Sequence, residues 1–272
     1  MPSEKRARQR ALRDQKRAVE ERRAKRRRQL RRALSALVVA GIIIALIVVL
    51  SSNSPKNTSA SGSTTTTVSL TTTTAVVAQA PACPPVTLAG AAKRVTHFAV
   101  APKMCVAQNS VLDATIKTDV GTFVVRLTTA TAPLGVNNFV FLARYHFFDG
   151  IIFHRVIPAF VVQGGDPTGT GTSGPGYSFT GNTPPSSCTA AHNCYATGDV
   201  ALANSGAPSS DGSQFFVVLP GGGPGLSDTY TLIGKVISGI SVVETIGNDG
   251  SASGTPKIVH KMLSVTIQQV TA

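Results

Sequence analysis

The sequence has no tryptophan, few cysteines and little charge: four cysteines stand among 272 residues, and Asp, Glu, Lys and Arg together make up 14%. With 42% hydrophobic residues, so little charge excludes a wholly disordered chain. Four cysteines in a chain of this length exclude a mini-protein stapled by disulfides in place of a core. No G-x-S-x-G motif is present, so a serine-hydrolase elbow has no support. Acidic residues are the scarcer charge, 13 against 26 Lys and Arg, for a net charge of +13. That excess is local. Residues 1–32 hold 15 of the basic and 4 of the acidic residues, a net +11, which leaves +2 for residues 33–272.

The segment after the basic tail decides the tail's meaning. Residues 33–50 (ALSALVVAGIIIALIVVL) carry no charge, and at about 1.5 Å per residue they reach roughly 27 Å as a helix, close to one hydrocarbon thickness. A cleavable signal peptide has a shorter apolar region and a shorter charged start, so a retained transmembrane anchor is the expectation. Arg26–Arg28 and Arg31–Arg32 abut the span while the other flank is nearly uncharged, which predicts a cytoplasmic tail and an extracytoplasmic remainder. The tail then reads as a topology signal that touches anionic lipid; nucleic-acid binding is the alternative. Residues 51–81, dominated by Ser, Thr and Ala, read as a flexible linker.

Cys83, Cys105, Cys188 and Cys194 all fall on the expected outer side, where oxidised pairing is natural. Three connectivities are possible. The local pairs Cys83–Cys105 and Cys188–Cys194 are expected, with free thiols, or a metal site at Cys188, His192 and Cys194, as alternatives. A structural zinc needs four ligands, and no second Cys/His pair lies nearby. Residues 82–111 form a Cys-containing extension ahead of the main domain.

From residue 112 to 272 the texture changes to short apolar runs between Gly-rich turns. DATIKT and TFVVRL around Asp119-Val120-Gly121 predict a hairpin. PLGVNNFVFLARYH predicts a helix that opens on Pro133 and places Val136, Phe139, Leu142 and Ala143 on one face. Further strands are expected at IIFHRVI, FVVQGG, DVALAN, QFFVVL, YTLIGKV and KMLSVTIQQV, with a second helix at ISVVETI. Eight strands and two helices predict a mainly β fold, a closed antiparallel eight-stranded barrel capped by the helices. Too few helices are present for a parallel α/β sheet. Gly169–Gly174 fits G-x-G-x-x-G, but Pro175-Gly176 follows where a helix would have to start, which excludes a dinucleotide site.

Chemistry is concentrated in FHRVIPAFVVQGGD, residues 153–166, where a cation and an amide stand among apolar side chains. This stretch, with APLGVNNFVFLARYHFFDGIIFHRV, ALANSGAPSSDGSQFFVVL and YTLIGKVISG, resembles the cyclophilin-type peptidyl-prolyl cis/trans isomerases over about residues 112–270. The anchored arrangement and the cysteines before the domain look like secreted or anchored forms from Gram-positive actinobacteria. The resemblance implies an enzyme that isomerises Xaa-Pro bonds and assists folding of exported proteins, with proline-containing polypeptides as substrates and with no cofactor, metal or nucleic acid. A monomeric catalytic domain is expected, held at the cell membrane.

Residue by residue, the resemblance makes Arg155 the catalytic cation. It lines the substrate groove with Phe160, Val161, Gln163, Ala203, Asn204, Gln214, Phe216, Leu226 and Tyr230. Taken alone, Arg155 would read as a surface ion-pair partner and the two phenylalanines as core; the motif reverses both. His154 reads as structural. The sequence departs from the family pattern in four places: Val161 stands for a usual Met, Ala207 is an added loop residue, Pro224-Gly225-Leu226 occupies the place of a common Trp, and Tyr230 that of a His. The missing indole implies weaker affinity for cyclosporin than in a Trp-bearing relative. A competing reading is a surface module that binds Pro-containing segments with little turnover; it has no need of the Arg155 cation.

Overall fold

The computed structural model describes residues 79–182, 194–207 and 209–270. The expected tail, span and all but the last residues of the linker lie outside these, as does Cys188. Among the described residues no helix is long and apolar enough to cross a membrane.

Among the described residues eight strands and two α-helices form, as expected: β1 Val111–Thr118, β2 Gly121–Thr128, α1 Pro133–Arg144, β3 Arg155–Ile157, β4 Val161–Gly164, β5 Asp199–Leu202, β6 Phe215–Val218, β7 Leu232–Ser238, α2 Ile240–Asn248 and β8 Met262–Gln269. The strands make one antiparallel sheet in the order β3-β4-β6-β5-β7-β2-β1-β8. The expected closed barrel needs correction. The sheet curls into a half-barrel whose end strands β3 and β8 share no ladder; the chain just before β3 meets the start of β8 through one isolated bridge, Ile152 to Lys261. The outer edge of β3 is taken instead by the loop after α2: Val156 donates its N–H to the Gly254 carbonyl (2.8 Å) and accepts from the Ser251 N–H (3.1 Å).

The hairpin forms around a two-residue loop, Asp119-Val120, with Thr118 opposite Gly121. In β1, β2 and β8 one face is buried and the other more open, so Leu112, Ala114, Ile116, Phe123, Val125, Leu127, Val265 and Ile267 alternate with residues that, Val124 apart, are polar. β5 and β6 are buried along their whole length, on both faces. Their side chains divide: Val200, Leu202, Phe215 and Val217 enter the main core, while Ala201, Phe216 and Val218 join Val161 and Tyr195 in a second apolar cluster across the sheet. The candidate site stands on that second cluster.

Helix α1 is buried on nearly all sides from Gly135 to Arg144. One side packs on the sheet, where Phe139 stacks on Phe148 at 4.9 Å and meets Phe215 edge-on at 5.3 Å. The residues ahead of β1 cover another part: Phe98 sets its ring edge-on against Phe141 and Tyr145, and the Asn137 carbonyl accepts N–H bonds from Cys105 (2.7 Å) and Val106 (3.2 Å). A disulfide joins Cys83 to Cys105 across this extension, as expected. Cys194 is also not a free thiol, and its expected partner Cys188 is outside the described residues.

His260, 4% exposed, lies between two carboxylates, with Nδ1 2.9 Å from Asp119 of the hairpin turn and Nε2 2.8 Å from Asp249 after α2. Burial opposes its charge, but hydrogen bonds to Asp249 and Asp119 outweigh burial and raise its pKa above 6.5. A raised folded-state value stabilises the protein fully below the unfolded value, and the gain disappears as pH rises through the folded value. Thermal unfolding should therefore show a midpoint that falls as pH climbs above about 6.5, and His260→Asn should flatten that slope. An unchanged slope in the variant would remove His260 from the account.

Candidate active site

Strand register assembles the site. Arg155 pairs with Gln163, Gln163 with Phe216, and Phe216 with Ala201, so one row of residues crosses β3, β4, β6 and β5 on a single face. Directly paired residues share a face of the sheet, and this face is the one that carries the second apolar cluster. The tight connection from β3 to β4, with Ala159 at φ 55°, brings Phe160 back beside Arg155; the guanidinium carbon lies 5.7 Å from the ring centre, within cation–π range.

A cavity of about 330 Å³ is lined by Arg155, Phe160, Val161, Gln163, Ala203, Asn204, Phe216, Gly225, Leu226 and Tyr230. Nine of the ten groove residues expected from sequence therefore meet in one place. The tenth, Gln214, lines an adjoining cavity of about 420 Å³ that shares Gln163, Ala203 and Asn204 with the first. The apolar wall is tight: the Phe216 ring stands edge-on to Tyr230 at 5.1 Å.

The polar side of the site is a chain of hydrogen bonds. Arg155 Nη1 donates to Gln163 Oε1 (3.1 Å), Gln163 Nε2 donates to Gln214 Oε1 (3.0 Å), and Gln214 Nε2 donates to the carbonyls of Gly171 (3.0 Å) and Ser173 (2.9 Å). Gln163 uses one of the five guanidinium donors. Asn204 is less available than its type suggests. Its amide donates to Asp211 (3.0 Å) and to the Thr229 carbonyl (3.2 Å), and its Oδ1 accepts from the Gly206 N–H (3.1 Å). It lines the cavity with both amide protons already engaged.

Three features of the site lie outside the ten groove residues expected from sequence. Gly225 lies against the Phe160 ring, where an added Cβ would come within 3.0 Å of Cε2, so a side chain in this place has room only if Phe160 moves. Tyr195, 2% exposed, accepts from the Tyr230 N–H (2.9 Å) and donates to its carbonyl (2.8 Å), fixing the Tyr230 backbone. Asp166, 1% exposed, gathers the loop after β4: it accepts from the N–H and hydroxyl of Thr168 (2.7 and 2.8 Å) and from the N–H groups of Gly171 (2.6 Å) and Ser173 (3.2 Å). Burial alone would raise its pKa, but these donors hold it down to about 2. The alternation Asp-Pro-Thr-Gly-Thr-Gly-Thr-Ser is the one local signal for it, since an Asp side chain takes up N–H groups of the residues that come after it.

His154, next to Arg155, has both ring nitrogens buried with no hydrogen-bond partner among the described residues. Burial lowers its pKa, more than the nearby Asp166 carboxylate and Gln214 amide raise it. The imidazole is therefore neutral at pH 7. Among the described residues no group of three His, Cys, Asp or Glu side chains is placed to hold a metal ion.

Comparison with known proteins matches residues 113–271 to the family model described as cyclophilin type peptidyl-prolyl cis-trans isomerase/CLD. The chain is 40% identical over 132 residues to the peptidyl-prolyl cis-trans isomerase ppi1 of Schizosaccharomyces pombe, covering 48% of this chain and 83% of that protein. It is 42% identical over 137 residues to a peptidyl-prolyl cis-trans isomerase of Helicobacter pylori, covering 49% and 78%. Among solved structures, a cyclophilin type peptidyl-prolyl cis-trans isomerase of Cryptosporidium parvum superposes with a TM-score of 0.52 at 27% identity, over 59% of this chain and 99% of that one. The same enzyme crystallised in the presence of the dipeptide Ala-Pro gives 0.51 at 29% identity, over 57% and 98%.

The Asp166 clasp is testable without an activity assay. Asp166→Asn turns one acceptor toward N–H donors as an amide, and each orphaned donor costs ~1–3 kcal/mol. Hydrogen exchange at the Gly171 and Ser173 amides should accelerate by about tenfold or more. In the wild type a depressed carboxyl pKa stabilises the loop fully above the unfolded value near ~3.9 and loses that effect as pH falls toward about 2. Equal protection in wild type and variant would show that the carboxylate does not hold the loop.

Proposed function

Since the chain belongs to the cyclophilin-type peptidyl-prolyl cis-trans isomerases, we propose that it rotates Xaa-Pro bonds of exported polypeptides at the outer face of a membrane, with Arg155 as the catalytic cation. The observation that carries the Arg155 assignment is its setting: a guanidinium tethered by Gln163 in the same cavity as the apolar side chains of Phe160, Val161, Phe216 and Leu226.

The chemistry asks for that combination. Rotation about a peptide bond faces a barrier of ~18–20 kcal/mol because the nitrogen lone pair is delocalised into the carbonyl. In the twisted state the lone pair returns to the prolyl nitrogen. A donor aimed at this nitrogen stabilises the twisted form more than the planar one, and only such a difference accelerates the step. Phe160, Val161, Phe216 and Leu226 offer the proline ring an apolar seat, and the second amide proton of Gln163 is free for the peptide backbone. No proton is transferred and no covalent bond is made or broken.

Catalysis and placement are tested separately. Arg155→Ala should lower kcat/KM by roughly 10²-fold or more, the effect of removing one transition-state donor, and Arg155→Lys should recover little, since an ammonium lacks the planar fork. His154→Gln should change the rate little. The wild-type rate should stay level between pH 6.5 and 8, because no step transfers a proton and burial favours the neutral form of His154. A rate that tracks one protonation abolished by His154→Gln would sink the mechanism.

The anchored, extracytoplasmic placement is supported by the uncharged run 33–50 and the arginines that precede it. The two cysteines of the extension, paired as Cys83–Cys105, agree with an oxidising compartment. Protease added to intact cells should cut within residues 51–81 and release the folded domain while the basic tail stays protected. A protected domain would reverse the orientation.

A further inference from the structure

The matched family region begins at residue 113, yet the residues ahead of it reach the neighbourhood of the groove. An open trough of about 480 Å³ adjoins the 420 Å³ cavity. Thr172, Ser173, Gly174, Tyr177 and Ser178 line both; Gly176 and His97 complete the trough. His97 belongs to the extension and is its sole contribution to the trough.

The position of His97 is fixed from several sides. The next residue, Phe98, donates its N–H to the Pro175 carbonyl (2.8 Å) and buries its ring to 8% exposure against Phe141 and Tyr145. The imidazole rests on Gly176, where an added Cβ would meet Cε1 at 2.5 Å and Nδ1 at 2.6 Å. Gly176 has φ 96°, a conformation that suits glycine. The Cys83–Cys105 disulfide closes the stretch of chain that holds His97. The side chain is nonetheless exposed, and neither ring nitrogen makes a hydrogen bond or an ion pair among the described residues. An imidazole held in place with both nitrogens unengaged, next to a cavity continuous with the catalytic pocket, is preorganised for a ligand.

We propose that His97 is a specificity residue, and that the extension lengthens the polypeptide-binding track beyond the family's own groove. A substrate that leaves the proline pocket along the 172–178 loop meets hydroxyls of Thr172, Ser173 and Ser178 and then the His97 imidazole. That row selects a polar side chain able to hydrogen-bond an imidazole, a carboxylate above all, several residues from the proline. The inference rests on the isomerase reading. Because the contact is remote from the rotating bond, it is made equally in the ground and twisted states and acts on KM, not on kcat.

The test uses the full-length protein and three kinds of peptide: a Pro-containing tetrapeptide too short to reach the trough, a twelve-residue peptide with alanines around its proline, and a set with one Glu placed in turn two to five residues to either side. Turnover is followed by exchange NMR and binding of the same peptides by calorimetry. One Glu position should lower KM and Kd about three- to tenfold relative to the alanine peptide, the range of one hydrogen bond. His97→Ala should erase that difference and leave tetrapeptide turnover unchanged, while His97→Gln, which keeps a side-chain donor, should retain part of it. Loss of the Glu preference at the same position in His97→Gln and His97→Ala alike would point to the ring in particular and still supports the assignment. A Glu preference that survives in His97→Ala, or no preference at any position in the wild type, overturns it. Absent tetrapeptide turnover would instead defeat the isomerase reading, and the calorimetric comparison would still decide the role of His97.

Discussion

A cation lying on an apolar surface needs a tether, and the Gln163–Gln214 pair supplies one whose polarity can run in only one direction. Arg155 can only donate, and the carbonyls of Gly171 and Ser173 can only accept. Between these fixed ends each glutamine must turn its oxygen toward Arg155 and its nitrogen toward the loop. A flip of either amide would set donor against donor at one joint and acceptor against acceptor at the next. The loop end of the chain is secured by Asp166, which binds the N–H groups of the same two residues whose carbonyls hold Gln214. The position of the guanidinium is thus determined by a buried carboxylate to which it makes no bond.

The sheet could be read from sequence where one face meets water, and less well where both faces are buried. The alternation in DATIKT and TFVVRL leads directly to the β1–β2 hairpin. FVV, DVAL and QFFVVL show no alternation, because β4, β5 and β6 have apolar material on both sides; their lengths and flanking turns mark them as strands. Barrel closure was not legible. It depends on what covers the outer edge of β3, and there Val156 bonds to Ser251 and Gly254, some hundred positions away, which local patterns do not express. Helix α1 was read as having one apolar face, but Phe141 and Val140 are also fully buried. Phe141 meets Phe98, which belongs to an extension with no periodic pattern of its own.

Site residues were legible to the extent that they belong to strands or motifs with a recognisable order. Arg155, Gln163 and Phe216 fall into one row because strand register is fixed by the apolar residues beside them. Residues that act through loops were missed or misjudged. Tyr195 reaches Tyr230 across 35 positions, and the Asn204 amide is taken by Asp211 and Thr229 through loop geometry that its residue type does not reveal. His97 lies outside every motif, and its place shows only in three dimensions, through its contact with Gly176 and the bond from Phe98 to Pro175.

Asn137 makes the folding unit longer than the homologous one. Its carbonyl takes two N–H groups and its amide reaches the Lys103 carbonyl at 3.0 Å, all from residues that precede the matched region. A chain begun at residue 113 would strand that buried amide, bare the aromatic face of α1 that Phe98 covers, and lose the backbone clamp on Pro175. The neighbouring Asn138 ties the same helix to Gly212 and Tyr177 beside the groove. Homology alone would therefore place the boundary for a minimal soluble fragment too late; packing places it ahead of Cys83.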